Sequence, residues 1–153
     1  MVMSGTGMPA TTTHIWIEGN KMRMETTIEG QLTVTLYDGD AYTMYLYYPD
    51  QNMAMKVTYE PEESAIDEAQ AVPDYNPTII GHETYDGKMC LVVEYTVEGT
   101  TVTMWVWEEH GFPVKVVTVT SEGTFTAEYT NIVFGDIDDS LFELPEGVTV
   151  MTI

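Results

Sequence analysis

The sequence predicts a mainly β protein, an antiparallel meander of about ten strands curved into a half-barrel (an open barrel) with one short helix. Three observations carry this expectation. Five glycines, Gly87, Gly99, Gly111, Gly123 and Gly135, stand twelve residues apart across the second half of the chain. The runs between them are rich in Val, Thr, Tyr, Trp and Phe, which suit a pleated surface, while glycine enters the φ > 0 conformations that tight hairpins need. In the later strands both faces carry apolar residues: Val102, Met104 and Val106 oppose Trp105 and Trp107, and Val114 and Val116 oppose Val117 and Val119. A sheet with one wet side alternates cleanly, so either both sides are covered or one lines a cavity. Strong curvature of the sheet around its own apolar face satisfies that demand.

The elements follow in order. Residues 1–10, small and uncharged, read as a flexible lead to a single domain over 11–153. A first strand over Thr11–Ile17 turns at Glu18-Gly19-Asn20 into Lys21–Ile28, whose Met22, Met24 and Ile28 share one face. Glu29-Gly30 turns into Gln31–Tyr37, with Leu32, Val34 and Leu36 on a face. Asp38-Gly39-Asp40 turns into Ala41–Tyr48, where Tyr42, Met44, Leu46 and Tyr48 align, and Pro49-Asp50-Gln51-Asn52 leads to Met53–Tyr59. Glu60–Val72 carries Pro61 near its start, acids in its first turn and Pro73 as a stop, the marks of a short helix. The meander resumes through Ile79–Tyr85, Lys88–Val97, Thr100–Glu108, Pro113–Thr120 and Thr124–Phe134, and a tail with Leu141, Phe142, Leu144 and Val148–Met151 closes the chain.

Composition excludes several functions. With 153 residues, 44% of them hydrophobic, the chain can bury a core. Twenty-five acidic residues face only Lys21, Lys56, Lys88, Lys115 and Arg23, a net charge of −20 that repels phosphate backbones, so nucleic acid is not an expected partner. At about 1 M salt the Debye length falls to roughly 3 Å and the self-repulsion fades, which suits a salt-rich setting. The other reading is a highly soluble acidic surface protein. Cys90, alone within Met89–Val93, reads as a buried, inert thiol rather than a nucleophile, and no intrachain disulfide can form. Neither a transmembrane span nor a signal peptide is read, and an anchor upstream of residue 1 stays open.

No catalytic signature is found: neither a nucleophile elbow, a phosphate-cradling glycine loop nor HExxH. An enzyme is therefore not expected, nor is a cofactor. His14, His82 and His110 lie on separate elements without metal-ligand spacing. Asp136, Asp138 and Asp139 lack the spacing of a calcium loop and read as a solvated acidic turn. Eleven methionines are the stronger hint. Unbranched and polarizable, methionine makes walls that adapt to flexible apolar ligands; it also fills ordinary cores. A Met-type metal site is a third reading, against which stands the absence of His or Cys close by. Trp105 and Trp107, like Tyr45 and Tyr47, lie two apart and point the same way, toward a cavity mouth or a core.

The chain also resembles a known family. His82-Glu83-Thr84-Tyr85-Asp86-Gly87-Lys88-Met89-Cys90 is similar to the strand–turn–strand that opens the second half of the outer-membrane lipoprotein carrier and sorting family (LolA/LolB-like). Trp105–Lys115 resembles that family's tryptophan-bearing strand, short turn and "glycine, apolar, proline" restart. Asp139–Val148 is similar to its closing segment, and Lys21–Glu25 to the early strand of related envelope proteins. The resemblance implies an unclosed β-barrel whose concave side accepts lipid or lipoprotein acyl chains, in an extracytoplasmic, monomeric protein of the cell envelope. The expected acyl site combines Met22, Met24, Leu32, Val34, Tyr42, Met44, Leu46, Met53, Met55, Trp105 and Trp107. The alternative function is an acidic interaction module with a filled core and no small-molecule ligand.

Overall fold

A computed structural model describes residues 1–58 and 75–152. The expected helix over Glu60–Val72 lies outside them. The fold is mainly β, and its twelve strands follow an antiparallel meander for most of their length. The chain divides into two compact units, Met1–Thr11 with Ala71–Val133 and Thr12–Gln70 with Phe134–Ile153.

In the first unit, β1 (Val2–Gly5), β11 (Gly123–Glu128), β10 (Phe112–Thr120), β9 (Thr100–Trp107), β8 (Lys88–Val97) and β7 (Thr78–Tyr85) are hydrogen-bonded in that order, every neighbour antiparallel. The hairpins arise where the glycine spacing places them. Asp86 and Gly87 have φ of 47° and 73°, and Glu98 and Gly99 have 49° and 81°. Two successive positive φ values make the primed turn whose twist matches the flanking strands. Gly135 does not repeat the pattern. The strand expected over Thr124–Phe134 stops at Glu128, and Gly135 lies in an irregular segment. The lead read as flexible carries β1, which pairs Met3 with Ala127.

In the second unit the order is β12 (Thr149–Thr152), β6 (Met53–Thr58), β5 (Thr43–Tyr48), β4 (Gln31–Asp38), β3 (Lys21–Ile28) and β2 (Met8–Glu18, which begins in the first unit). All neighbours are antiparallel except β12, which lies parallel to β6. The strand expected from Ala41 starts at Thr43, because Asp38 folds the chain beyond it. The Asp38 Oδ1 accepts from the backbone N–H of Asp40 and Ala41 at 3.0 and 2.9 Å, and Tyr42 is left in the turn with φ of 48°.

The core of the second unit forms where strand register stacks its branched residues. Val34, Leu36, Tyr47 and Ala54 are buried together, with Leu32, Tyr45, Leu144 and Val148 packed against them. Leu144 and Val148 belong to the tail that precedes β12, so the tail covers this face. Arg23 fastens it: its Nη1 donates to the Leu141 carbonyl at 2.9 Å, while Nε and Nη2 donate to Glu25 Oε1 at 2.8 and 2.6 Å. Asn52 Nδ2 donates to the Gly147 carbonyl at 2.9 Å, and the Thr149 N–H donates back to the Asn52 carbonyl at 3.0 Å. These bonds aim the last residues along β6.

Candidate functional site

Cross-strand partners share a face, so the register sorts every strand residue of the second unit into two sets. Met22 pairs with Ile17 and Tyr37, and Met24 with Ile15 and Thr35. Tyr37 pairs with Met44, Thr35 with Leu46, Met44 with Val57, Leu46 with Met55, and Tyr48 with Met53. Met151 lies beside Met55 on the parallel strand. Met22, Met24, Met44, Leu46, Met53 and Met55 therefore come together on one methionine face. All six methionines of this unit are on it. Among the strand residues from Thr13 onward, it carries no charged side chain, only apolar residues with Thr and Gln31. Every strand charge from Glu18 to Lys56 (Glu18, Lys21, Arg23, Glu25, Asp38 and Lys56) falls on the opposite, core face. Met22, Met24, Met44, Leu46, Met53 and Met55 are half-buried, and Met151 is 46% exposed.

The other expected site residues are placed elsewhere. Leu32 pairs with Thr27 and Val34 with Glu25 and Tyr47, which puts both on the core face, under the tail. The two-residue Glu29-Gly30 turn sets this: it aligns Met22 with Tyr37 rather than with Leu36, so the apolar sets of β3 and β4 point to opposite sides. Tyr42 is an exposed turn residue. Met151, Ile15, Ile17, Tyr37 and Val57 join the methionine face without having been expected there. Their alternation was readable, but which strands face each other was not.

Trp105 and Trp107 stay together in the first unit, on a face of different character. The Trp105 Nε1–H donates to Glu83 Oε2 at 2.8 Å, and Lys115 Nζ stands 4.9 Å from its ring centroid. Trp107 meets Lys88 Nζ at 5.5 Å and the His110 ring edge-on at 4.4 Å. Lys115 is also 5.0 Å from the Tyr85 ring and 3.9 Å from Glu128 Oε1, and the Tyr85 hydroxyl donates to that same Glu128 carboxylate. Tyr85 is on β7 and Glu128 on β11, four strands away, about 19 Å across a flat sheet. Their contact requires this unit's sheet to coil with the tryptophan-bearing face inside. The hydrogen bond to Glu128, then burial, then the negative charges of Glu128 and Asp86 push the Tyr85 hydroxyl up to about 12.

The remaining candidates have local roles. Cys90 is fully buried and burial pushes its thiol up, which favours the unreactive protonated form. Asp138 caps the 3-10 turn Asp139–Phe142, accepting from the Ser140 N–H at 2.9 Å and its hydroxyl at 2.6 Å, and these bonds hold its carboxyl below the usual range. His82 pairs with Glu108 at 2.6 Å, and His14 stacks on Trp16. Among the described residues no three His, Cys, Asp or Glu side chains stand together as a metal site, and no helix is long and apolar enough to cross a membrane.

Comparison with known proteins bears on the fold. The chain is similar to a solved structure of an uncharacterized conserved protein from Thermus thermophilus, with a TM-score of 0.72 at 11% identity over 99% of this chain and 88% of that one. That likeness shows the fold alone. Weaker likenesses join it to a domain from Vibrio parahaemolyticus named for outer membrane lipoprotein sorting (TM-score 0.38, 15% identity, 85% and 68% covered) and to a DUF1329 family protein from Desulfovibrio piger (TM-score 0.40, 13% identity, 93% and 87% covered). Neither carries an argument about this chain. In sequence it is 27% identical over 137 residues to an uncharacterized protein of Methanocaldococcus jannaschii, covering 82% of this chain and 39% of that protein. The chain thus spans about two fifths of that relative's length. No family model matches it.

Proposed function

We propose that the methionine face binds the acyl chain of a lipid or lipoprotein, in a non-enzymatic, monomeric protein of the cell envelope. One observation supports this above the others. A chain with twenty-five acidic and five basic residues presents a face of six strands without a charge, and every methionine of that unit is on it. The cluster closed under the tail is built of Val, Leu, Tyr and Ala and holds none of these methionines. Thioether chains repack around a flexible guest, and burial of that guest supplies about 0.8 kcal/mol per methylene without bond chemistry. The envelope setting and the lipoprotein cargo rest on the resemblance of the His82–Cys90, Trp105–Lys115 and Asp139–Val148 segments to lipoprotein carriers.

Titration with an environment-sensitive fluorescent fatty acid, displaced by palmitate, tests the reading. Wild type should bind and Met44→Glu, which puts a charge in the middle of the face, should lose binding. Thr27→Glu, on the exposed rim of the opposite face, should retain it, with circular dichroism confirming that all three fold. No uptake by wild type, or equal uptake by Met44→Glu, would overturn the proposal in favour of an acidic interaction module.

A further inference from the structure

We propose that Met53, Met55 and Met151 form a binding site for a soft monovalent metal ion of the Cu(I) class. The parallel register sets Met151 of β12 directly beside Met55 of β6, and Met53 lies two residues back on the same face. Adjacent strands are about 4.8 Å apart and alternate residues about 6.6 Å, so three thioethers rise from a patch of that size. Each is carried on an unbranched side chain with three rotatable bonds, long enough to converge on one centre. The trio is invisible along the chain, because Met151 meets Met55 only through the tail that Arg23 and Asn52 fasten in place.

The donor set selects the ion. Thioethers are soft, neutral ligands that suit Cu(I), whereas harder divalent ions look for imidazole or carboxylate. Among the described strand residues of the methionine face there is no His, Cys, Asp or Glu. With no anionic ligand to offset its charge, a monovalent ion costs less to seat there than a divalent one. The net charge of −20 raises the local cation concentration, and Met151, 46% exposed, leaves an approach from solvent. The ion enters and leaves as Cu(I), without redox chemistry. Because β12 supplies one ligand and β6 two, occupancy would tie the tail to the sheet. This inference uses the same face as the acyl proposal but does not depend on it, since it rests on the sulfur donors and not on the apolar surface.

The test is a titration with Ag(I), a redox-inert probe of soft sites, followed by NMR of protein labelled with ¹³C at the methionine methyl groups. The resonances of Met53, Met55 and Met151, assigned by single leucine variants, should shift together and saturate at one equivalent, and Zn(II) should move none of them. Losing even an outer partner of a bound metal weakens affinity roughly 10–100-fold, so the Met53→Leu/Met55→Leu/Met151→Leu variant should bind Ag(I) at least about tenfold more weakly. Its circular dichroism spectrum should match that of wild type. Met22→Leu/Met24→Leu, on β3, should retain the ion. Unmoved resonances, a uniform shift of all methionines, or undiminished binding by the triple variant would overturn the site.

Discussion

Replacing Val34 with alanine should cost more stability than replacing Ile17 with alanine, although the second change removes more atoms. Val34 is 1% exposed at the centre of the cluster with Leu36, Tyr47 and Ala54, whereas Ile17 is 51% exposed on the methionine face. Two buried methyl groups represent about 1.6 kcal/mol of transfer free energy at roughly 0.8 kcal/mol each, and the cavity left beneath the tail raises the cost to about 2–3 kcal/mol. Ile17→Ala deletes a half-solvated side chain and should cost about 1 kcal/mol or less. Urea unfolding followed by circular dichroism would show this directly. With a slope of about 2 kcal/mol per molar, Val34→Ala should lower the midpoint by about 1 M and Ile17→Ala by less than about half as much. Equal shifts, or a larger one for Ile17→Ala, would refute the placement of Val34 in a closed cluster and of Ile17 on an exposed part of the methionine face.

Three further outcomes follow from the same geometry. Tyr85→Phe removes the hydroxyl that spans β7 to β11 and should cost about 1–2 kcal/mol, read in the same urea assay. In wild type, the Tyr85 hydroxyl is pushed up to about 12 in the fold against about 10 unfolded, so its contribution is complete below pH 10 and fades as pH rises from 10 to 12; an ultraviolet difference titration of wild type against Tyr85→Phe would isolate it. Arg23→Ala leaves Glu25 and the Leu141 carbonyl without their donor and should cost about 2–3 kcal/mol, with faster hydrogen exchange across residues 134–148 as the specific sign that the tail has loosened. Cys90, fully buried, should react with a thiol reagent only as fast as the chain unfolds, and rapid reaction under native conditions would contradict its placement.

The hairpins were legible because their signal is local. Asp86-Gly87 and Glu98-Gly99 announce primed turns wherever they stand, and the alternation of Met22, Met24 and Ile28 announces a half-buried strand. What escaped was register. Both β3 and β4 alternate, and nothing within either strand says whether Met22 will face Leu36 or Tyr37; the two-residue turn between them decides it, and with it the separation of Leu32 and Val34 from the methionines. Tyr42 was lost to a side-chain-stabilised turn at Asp38, which competes with strand extension. Long-range pairings were hidden for the same reason. The parallel seating of Met151 on Met55 and the reach of Tyr85 to Glu128 depend on contacts far apart in sequence, which composition and periodicity do not encode.

The charge-free methionine face is the centre of the account, and native mass spectrometry of protein purified without detergent, followed by extraction and identification of bound lipid, tests it most directly. The account predicts an acyl species retained at near-unit occupancy by wild type and absent from Met44→Glu. A bare protein mass that takes up neither fatty acid nor lipopeptide on challenge would contradict it.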